Sequence, residues 1–376
     1  MRKNILFIFA LCYQQILKRI FFLFDPEFVH NRMVKNGELL GRFTFLRQVI
    51  AVIFAVKNQM LIQTIAGIRF ENPIGLSAGF DHDAHLTQIL PAVGFGFGSV
   101  GTVTYHAYGG NPRPILGRLP KSRSLMVNKG YKSSGAEVVS RRLASLSFAI
   151  PIGISIGRSN VASLKNEKES SKDIVKAFQI FEEKKVKNAY YELNISCPNL
   201  YGDISFYPPK NLEALLRAVD AIGLSTPVFI KMPIELSDKE VILILDVILK
   251  HRIAGIIIGN LQKNRNDPAL IPEEVAKFPV GNFSGKPTWN RSNALISLAY
   301  RHCGGKLVII GCGGVFSAED AYEKILRGAS LVQLITGMIY QGPQLIAEIN
   351  LRLPVFLRRD GYANVADAVG MMHYEK

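Results

Sequence analysis

Residues 227–260 read PVFIKMPIELSDKEVILILDVILKHRIAGIIIGN. A short apolar run, PVFIKM (227–232), leads to a helical stretch, Asp238–His251, and then to a second apolar run, AGIIIGN (254–260). Neither run alternates apolar with polar residues, which is the pattern of strands buried on both faces of a parallel sheet. The same unit recurs along the chain. Further runs are PIGLSAG (73–79), FGSVGTVT (97–104), PIGISIG (151–157), AYYELNIS (189–196), KLVIIGCGG (306–314) and SLVQLITG (330–337). Helical candidates Ser171–Lys185, Asn211–Ile222 and Ala318–Arg327 lie between them. Eight strands alternating with helices predict an α/β fold of the (β/α)8 barrel type. A doubly wound open sheet competes less well, because the turn after the first run reads SAGFDHDA and holds no G-x-G-x-x-G. LIQTIAGIRFENP (61–73) predicts a hairpin closing the barrel bottom.

The chain has 376 residues, 48% of them apolar and 20% charged, with 32 Gly and 18 Pro. That composition supports a large core and excludes a disordered or fibrous protein. Four cysteines, none in a C-x-x-C pair, argue against a disulfide framework and against a metal site, and favour a reducing compartment. The net charge is +15. Such a surface suits an anionic lipid, an acidic small molecule or simple solvation; no nucleic-acid partner is expected. A mean hydropathy of +0.16 is high for so basic a chain and points to apolar sequence that meets a membrane.

That sequence lies at the N-terminus. Residues 4–24, NILFIFALCYQQILKRIFFLF, are interrupted by Gln14, Gln15, Lys18 and Arg19, short of the roughly 18–20 uninterrupted apolar residues of a spanning helix. No small-x-small site follows as a signal peptide requires. The reading is one or two short helices lying in the membrane interface. A second helical stretch runs from Pro26 to about Lys57. The expected division is a helical cap over 1–60, a barrel over 61–355 and a tail over 356–376.

In a (β/α)8 barrel the chemistry sits at the C-terminal strand ends. This directs attention to Asp81, His82, Thr102, Ser155, Asn194 to Asn199, Lys231, Asn260, Gly311 to Gly314, Thr336 and Gly337. Glycine turns after the last two strands suit a phosphate, although glycine ends strands in many folds. The most unusual string is Asn194-Ile195-Ser196-Cys197-Pro198-Asn199. Asn side chains offer donors and acceptors to a planar ligand. Cys197 is a candidate base or nucleophile if its thiolate is stabilised, or else an inert buried cysteine. Cys303 and Cys312 are read as packing residues.

NPIGLSAGFD (72–81), GSVGTVT (98–104), NISCPN (194–199), FIKM (229–232), SGKP (284–287), IIGCGG (309–314) and ASLVQLITG (329–337) resemble, in order, the barrel motifs of the dihydroorotate dehydrogenase family. FDPEFVH (24–30) resembles the N-terminal helical domain of its membrane-associated, quinone-reducing class. The resemblance implies FMN, oxidation of dihydroorotate to orotate in pyrimidine synthesis, and electron transfer to a membrane quinone. It implies peripheral attachment to the cytoplasmic side of a bacterial inner membrane or to a mitochondrial inner membrane. Ala78, Gly79 and Thr102 match FMN-lining positions, and Asn194 matches an amide shared by FMN and substrate. Lys231 matches the lysine beside the flavin. Gly285, Gly314 and Thr336 match the phosphate turns, with Gly259 and Ile335 as further cofactor positions. Asn199 and Asn260 match substrate amides, and Cys197 matches the base that takes a proton from C5 as hydride leaves C6.

Several positions depart from the family pattern. Cys197 stands where the quinone-reducing class usually has serine. His82 replaces a lysine, which makes the charge there pH-dependent with an ordinary imidazole near 6.5. Ser155 replaces an FMN-contacting asparagine, and Gly259 and Leu261 replace the small polar pair flanking Asn260. VNKGYKSS (127–134) replaces the family's N-R-M-G-F-N-N substrate loop: an ungapped match puts Val127 on the substrate asparagine, and a one-residue shift puts Asn128 there. Two other readings stand beside this one: a flavin barrel acting on another pyrimidine-like ring, such as a tRNA-dihydrouridine synthase type, and a membrane flavin-binding relative that has lost catalysis.

Overall fold

The structure is a computed structural model and describes residues 2–374. Its strands are β1 (Gln63–Ile65), β2 (Ile68–Phe70), β3 (Ile74–Leu76), β4 (Phe97–Val103), β5 (Leu116–Leu119), β6 (Ser124–Val127), β7 (Ile152–Ile156), β8 (Tyr190–Asn194), β9 (Val228–Met232), β10 (Gly255–Ile258), β11 (Asn282–Gly285), β12 (Val308–Cys312) and β13 (Leu331–Leu334). Strands β3, β4, β7, β8, β9, β10, β12 and β13 close into a parallel barrel in that order. Each falls within one of the eight apolar runs. The helix following β9 starts at Asp238, where Ser237 and Glu240 form a reciprocal capping box that satisfies the first backbone N–H groups.

The barrel interior is filled in layers. At the bottom, Phe97, Tyr190, Phe229, Ile257, Ile310 and Leu331 pack with Ile65 and Phe70 of the antiparallel β1–β2 hairpin, which plugs that end. Phe70 meets Phe97 edge-on, with ring centroids 5.4 Å apart. Gly153 is required beside this layer, since a Cβ there would lie 2.0 Å from the Tyr190 ring. Above it a polar knot links Ser99, Tyr190, Glu192 and Gln333; Gln333 Nε2 donates to Glu192 Oε1 at 2.8 Å.

Strands β5, β6 and β11 form a separate antiparallel sheet that the apolar-run pattern does not reveal. Leu125 and Val127 of β6 reach the cavity at the barrel mouth, whereas Met126, on the other face, packs with Leu119 and Phe283.

The N-terminal segment is one continuous helix, longer than the one or two short helices expected. It comprises α1 (Arg2–Cys12), a π-helical turn at Tyr13–Leu17 and α2 (Lys18–Leu23). At 22 residues it is long and apolar enough to cross a membrane by length and composition, contrary to the expectation from its interruptions. One face is nevertheless docked on the protein. Leu6 packs with Phe54 and Ala347, Tyr13 Oη donates to the Ile339 carbonyl at 2.7 Å, and Gln14 Nε2 donates to the Tyr340 carbonyl at 2.9 Å. Helix α3 (Pro26–Arg42) begins at an Asp25 cap that accepts from the Phe28 N–H, and α4 (Thr44–Phe54) follows after a break at Phe43. At the other end, the helix Leu345–Arg359 runs past the expected boundary at 355. The tail then returns to the barrel bottom, where the Val365 N–H donates to the Met60 carbonyl at 2.8 Å.

Candidate active site

Parallel register sets Asn194 at the end of β8 beside Lys231 of β9. From Asn194 a chain of hydrogen bonds crosses the barrel mouth. Ser155 Oγ and Thr102 Oγ1 lie 2.9 Å apart, and Asn194 Nδ2 donates to Thr102 Oγ1 at 2.9 Å. Asn194 Oδ1 accepts from the Ser196 N–H and hydroxyl, and Asn260 Nδ2 donates to Ser196 Oγ at 2.7 Å. Every link fixes the rotamer of the next, so the amides of Asn194 and Asn260 are held before any ligand arrives. Ser196, which has no role of its own in the sequence reading, is the joint of this chain. Asn199 is fixed separately: its Nδ2 donates to the Val127 carbonyl at 3.0 Å and its Oδ1 accepts from Asn282 Nδ2 at 2.7 Å.

These residues surround one cavity. Its wall includes Ala78, Gly79, Thr102, Asn194, Lys231, Gly259, Gly285, Gly314, Ile335 and Thr336, with His82, Cys197, Asn199 and Asn260. Ser155 stands behind Thr102 and supports it. Asn128 is not on this wall. In β6, Leu125 and Val127 point to the cavity, so strand alternation turns Asn128 away and returns Lys129 to the cavity side. The Asn128 amide instead accepts from Asn111 Nδ2 at 3.0 Å and lies near the Pro112 and Pro114 carbonyls. Cys303 is buried, but Cys312, expected only to pack, is on the cavity wall, its Sγ 3.7 Å from Ser77 Oγ.

Lys231 is almost fully buried, and its Nζ donates to Ser77 Oγ at 3.0 Å. An ammonium has three donors, so Lys231 has capacity left for a ligand acceptor or anion in the cavity. Burial pushes the Cys197 thiol up to about 11, against the opposing pull of the Asn199 backbone N–H and the charges of Arg158, Lys231 and Lys263. The resting residue is therefore a thiol at neutral pH, and its basic form is populated progressively as pH rises.

His82 does not carry the pH-dependent charge expected of it. Burial, then Lys129, His30 and Lys132, hold its imidazolium form well below the ordinary range, so the ring is neutral at physiological pH. The cation at this place is Lys129, whose Nζ lies 2.6 Å from His82 Nε2. Burial and Lys132 lower Lys129 to about 7. Its importance was hidden because it depends on contact with a residue 47 positions away.

The walls fit the FMN implied by the sequence. Gly285 has φ +81°, and a Cβ there would lie 2.5 Å from the Arg123 carbonyl and 2.8 Å from Thr336 Cγ2. A Cβ on Gly314, at φ +72°, would lie 2.8 Å from Trp289 Cβ. With the Ser284 and Thr336 hydroxyls 2.8 Å apart, these turns form a polar cradle open to a phosphate. The buried Lys231 ammonium suits the negative charge that gathers on a reduced flavin.

A second cavity of about 470 Å³ adjoins the first and is almost wholly apolar. Phe9, Tyr13, Phe22, Val29, Met33 and Leu40 bring it under the N-terminal helices, and Arg118 adds a cation. His30, Phe80, Leu116, Leu125 and Ile339 are common to both cavities and form the partition.

The family model for dihydroorotate dehydrogenase matches residues 60–357. Among curated proteins, dihydroorotate dehydrogenase (quinone) of Acaryochloris marina is 34% identical over 95% of this chain and 99% of its own length. The protein of the same name from Rippkaea orientalis is 36% identical over 93% of this chain and 95% of its own. Among solved structures, that of DHODH from Eimeria tenella in complex with ferulenol is similar with a TM-score of 0.81 at 27% identity, covering 93% of this chain and 96% of that one. Barrel, site and relatives agree: the chain belongs to the dihydroorotate dehydrogenase family.

Proposed function

We propose that the protein oxidises dihydroorotate to orotate with FMN as cofactor and a membrane quinone as electron acceptor, a step of pyrimidine synthesis. The observation that carries this reading is the pair of adjoining cavities. One, at the strand ends, sets polar groups into its wall: Cys197, Lys231 and three amides. The other is apolar, opens under the N-terminal helices, and shares His30 and Phe80 with the first. A polar substrate and a greasy acceptor each find a matching wall.

FMN, when bound, would supply a hydride acceptor for C6 and a carrier of the electrons towards the quinone. The chain's own residues do the rest. Asn194, Asn199 and Asn260 present fixed donors and acceptors to the planar ring, and Cys197 in its thiolate form takes the C5 proton. Lys231 would offset negative charge near the cofactor, while Gly285, Gly314 and Thr336 would hold its phosphate. The exposed apolar side chains of the N-terminal helices, among them Phe7, Ile8, Leu23 and Phe45, support attachment to the membrane from which the quinone comes. The dihydrouridine-synthase and non-catalytic readings are not favoured, since the relatives match over nearly their whole length under the dehydrogenase name.

Titration of the purified flavoprotein with orotate, followed by its visible spectrum, tests this. A saturable shift of the flavin band supports the reading. A flavin band indifferent to orotate and not bleached by dihydroorotate contradicts it.

A further inference from the structure

We propose that Lys129, held by His82, is the cation that receives the substrate's carboxylate, so that the charge at this corner is delivered by the loop after β6 instead of the turn after β3. The inference rests on the dihydroorotate reading above and names a residue that determines which ligand that site accepts.

Three observations carry it. First, Lys129 lies on the wall of the cavity that holds Cys197 and the amides. Second, its Nζ has only neutral partners, His82 Nε2 at 2.6 Å and the Gly79 carbonyl at 3.5 Å. Two nitrogens at that distance need an N–H between them; with Lys129 charged, His82 Nε2 must accept and Nδ1 carries the ring proton. His82 is thus a positioning residue for the ammonium. Third, no carboxylate of the described residues pairs with Lys129. The nearest acid acting on it, Glu27 of α3, is held by Lys132 at 3.0 Å and by Arg113 at 3.1 Å. The other titratable groups around it, His30 of α3 and Lys132 of its own loop, add no negative charge. A half-buried cation on a cavity wall, with no carboxylate paired to it, is satisfied by an anionic ligand, and a carboxylate is the group that dihydroorotate offers.

The titration has a definite sign. An anion binds the charged lysine, so affinity is level below about pH 7 and falls as pH rises past it, by up to roughly tenfold per unit. A ligand without a carboxylate escapes this dependence.

The test measures dissociation constants of orotate and of uracil, by flavin absorbance on the holoenzyme, between about pH 6 and 9. The parent is expected to lose orotate affinity with rising pH and to bind uracil evenly. Lys129→Met should weaken orotate roughly ten- to hundredfold at pH 6, remove the pH dependence and leave uracil unchanged. Adding His82→Lys to Lys129→Met should restore affinity with a flat profile, because a lysine at 82 reaches the same point. If the parent binds orotate and Lys129→Met, still loaded with flavin, shows the same affinity and profile, the role of Lys129 is overturned alone. If the parent binds no orotate, the substrate assignment falls and this role falls with it.

Discussion

His30 of α3 packs edge-on against Phe80 from the turn after β3, with ring centroids 4.9 Å apart at 88°. The two rings stand between the strand-end cavity and the apolar one, so the N-terminal helices complete the wall between the two. Burial and the neighbouring Lys129 and Lys132 lower His30 to about 2, so its imidazole is neutral in use.

His30→Ala removes one of the two rings from this partition. Reduction of the bound flavin by dihydroorotate is expected to stay within about twofold of the parent. Turnover with a ubiquinone analogue should fall by roughly tenfold, because acceptor placement on the ångström scale sets the rate. Stopped-flow measurement of the two half-reactions separates them; equal losses in both would show that His30 serves the substrate side.

The high position of the Cys197 thiol, about 11, predicts that the rate of flavin reduction at saturating dihydroorotate climbs with pH across 6 to 9. The sign follows from the thiolate fraction, which grows about tenfold per unit below that value. Cys197→Ala should keep its flavin and lose this reaction, whereas Cys197→Ser should retain activity with its rise displaced to higher pH. An alanine variant reduced at the parent rate would remove Cys197 from the mechanism.

Phe7, Leu23 and Phe45 are 69%, 84% and 72% exposed on the helical segment, where an apolar side chain gains nothing from water. Co-sedimentation with anionic lipid vesicles is expected for the parent and should drop sharply when all three are changed to Ser. Extraction at alkaline pH should release the parent, since the docked face of α1 keeps this helix on the protein. Resistance to that extraction would mean that residues 2–23 cross the bilayer.

Gly153→Ala drives a methyl group into the Tyr190 ring at the barrel floor. Overpacking of this kind costs about 1–3 kcal/mol. Thermal unfolding should register it as a lower Tm, with flavin content preserved at low temperature. An unchanged Tm would mean that the Phe97–Tyr190–Phe229 layer repacks freely.

The barrel was legible in the sequence because strands buried on both faces read as unbroken apolar runs, and nothing in the chain imitates eight of them in series. The β5–β6–β11 sheet was not, because LGRL, SLMV and NFSG are short and mixed in polarity, and β11 joins the local β5–β6 hairpin across more than 150 residues of chain. The same sheet explains the loop after it. Alternation through Leu125, Val127 and Lys129 decides which residues face the cavity, and it turns Asn128 out. His82 was recognised as a position, but its charge state depends on Lys129, whose proximity only the fold creates. Cys312 likewise looked like turn packing until β12 set it beside Ser77.

The central claim is that one barrel couples a dihydroorotate site to a quinone cavity through a bound flavin. Mixing the oxidised holoenzyme anaerobically with dihydroorotate and then with a ubiquinone analogue tests it most directly. Bleaching of the flavin band, release of one orotate per flavin and return of the band on adding the quinone are the predicted result. A flavin that dihydroorotate leaves oxidised, or one that it reduces but the quinone cannot reoxidise, would contradict the account.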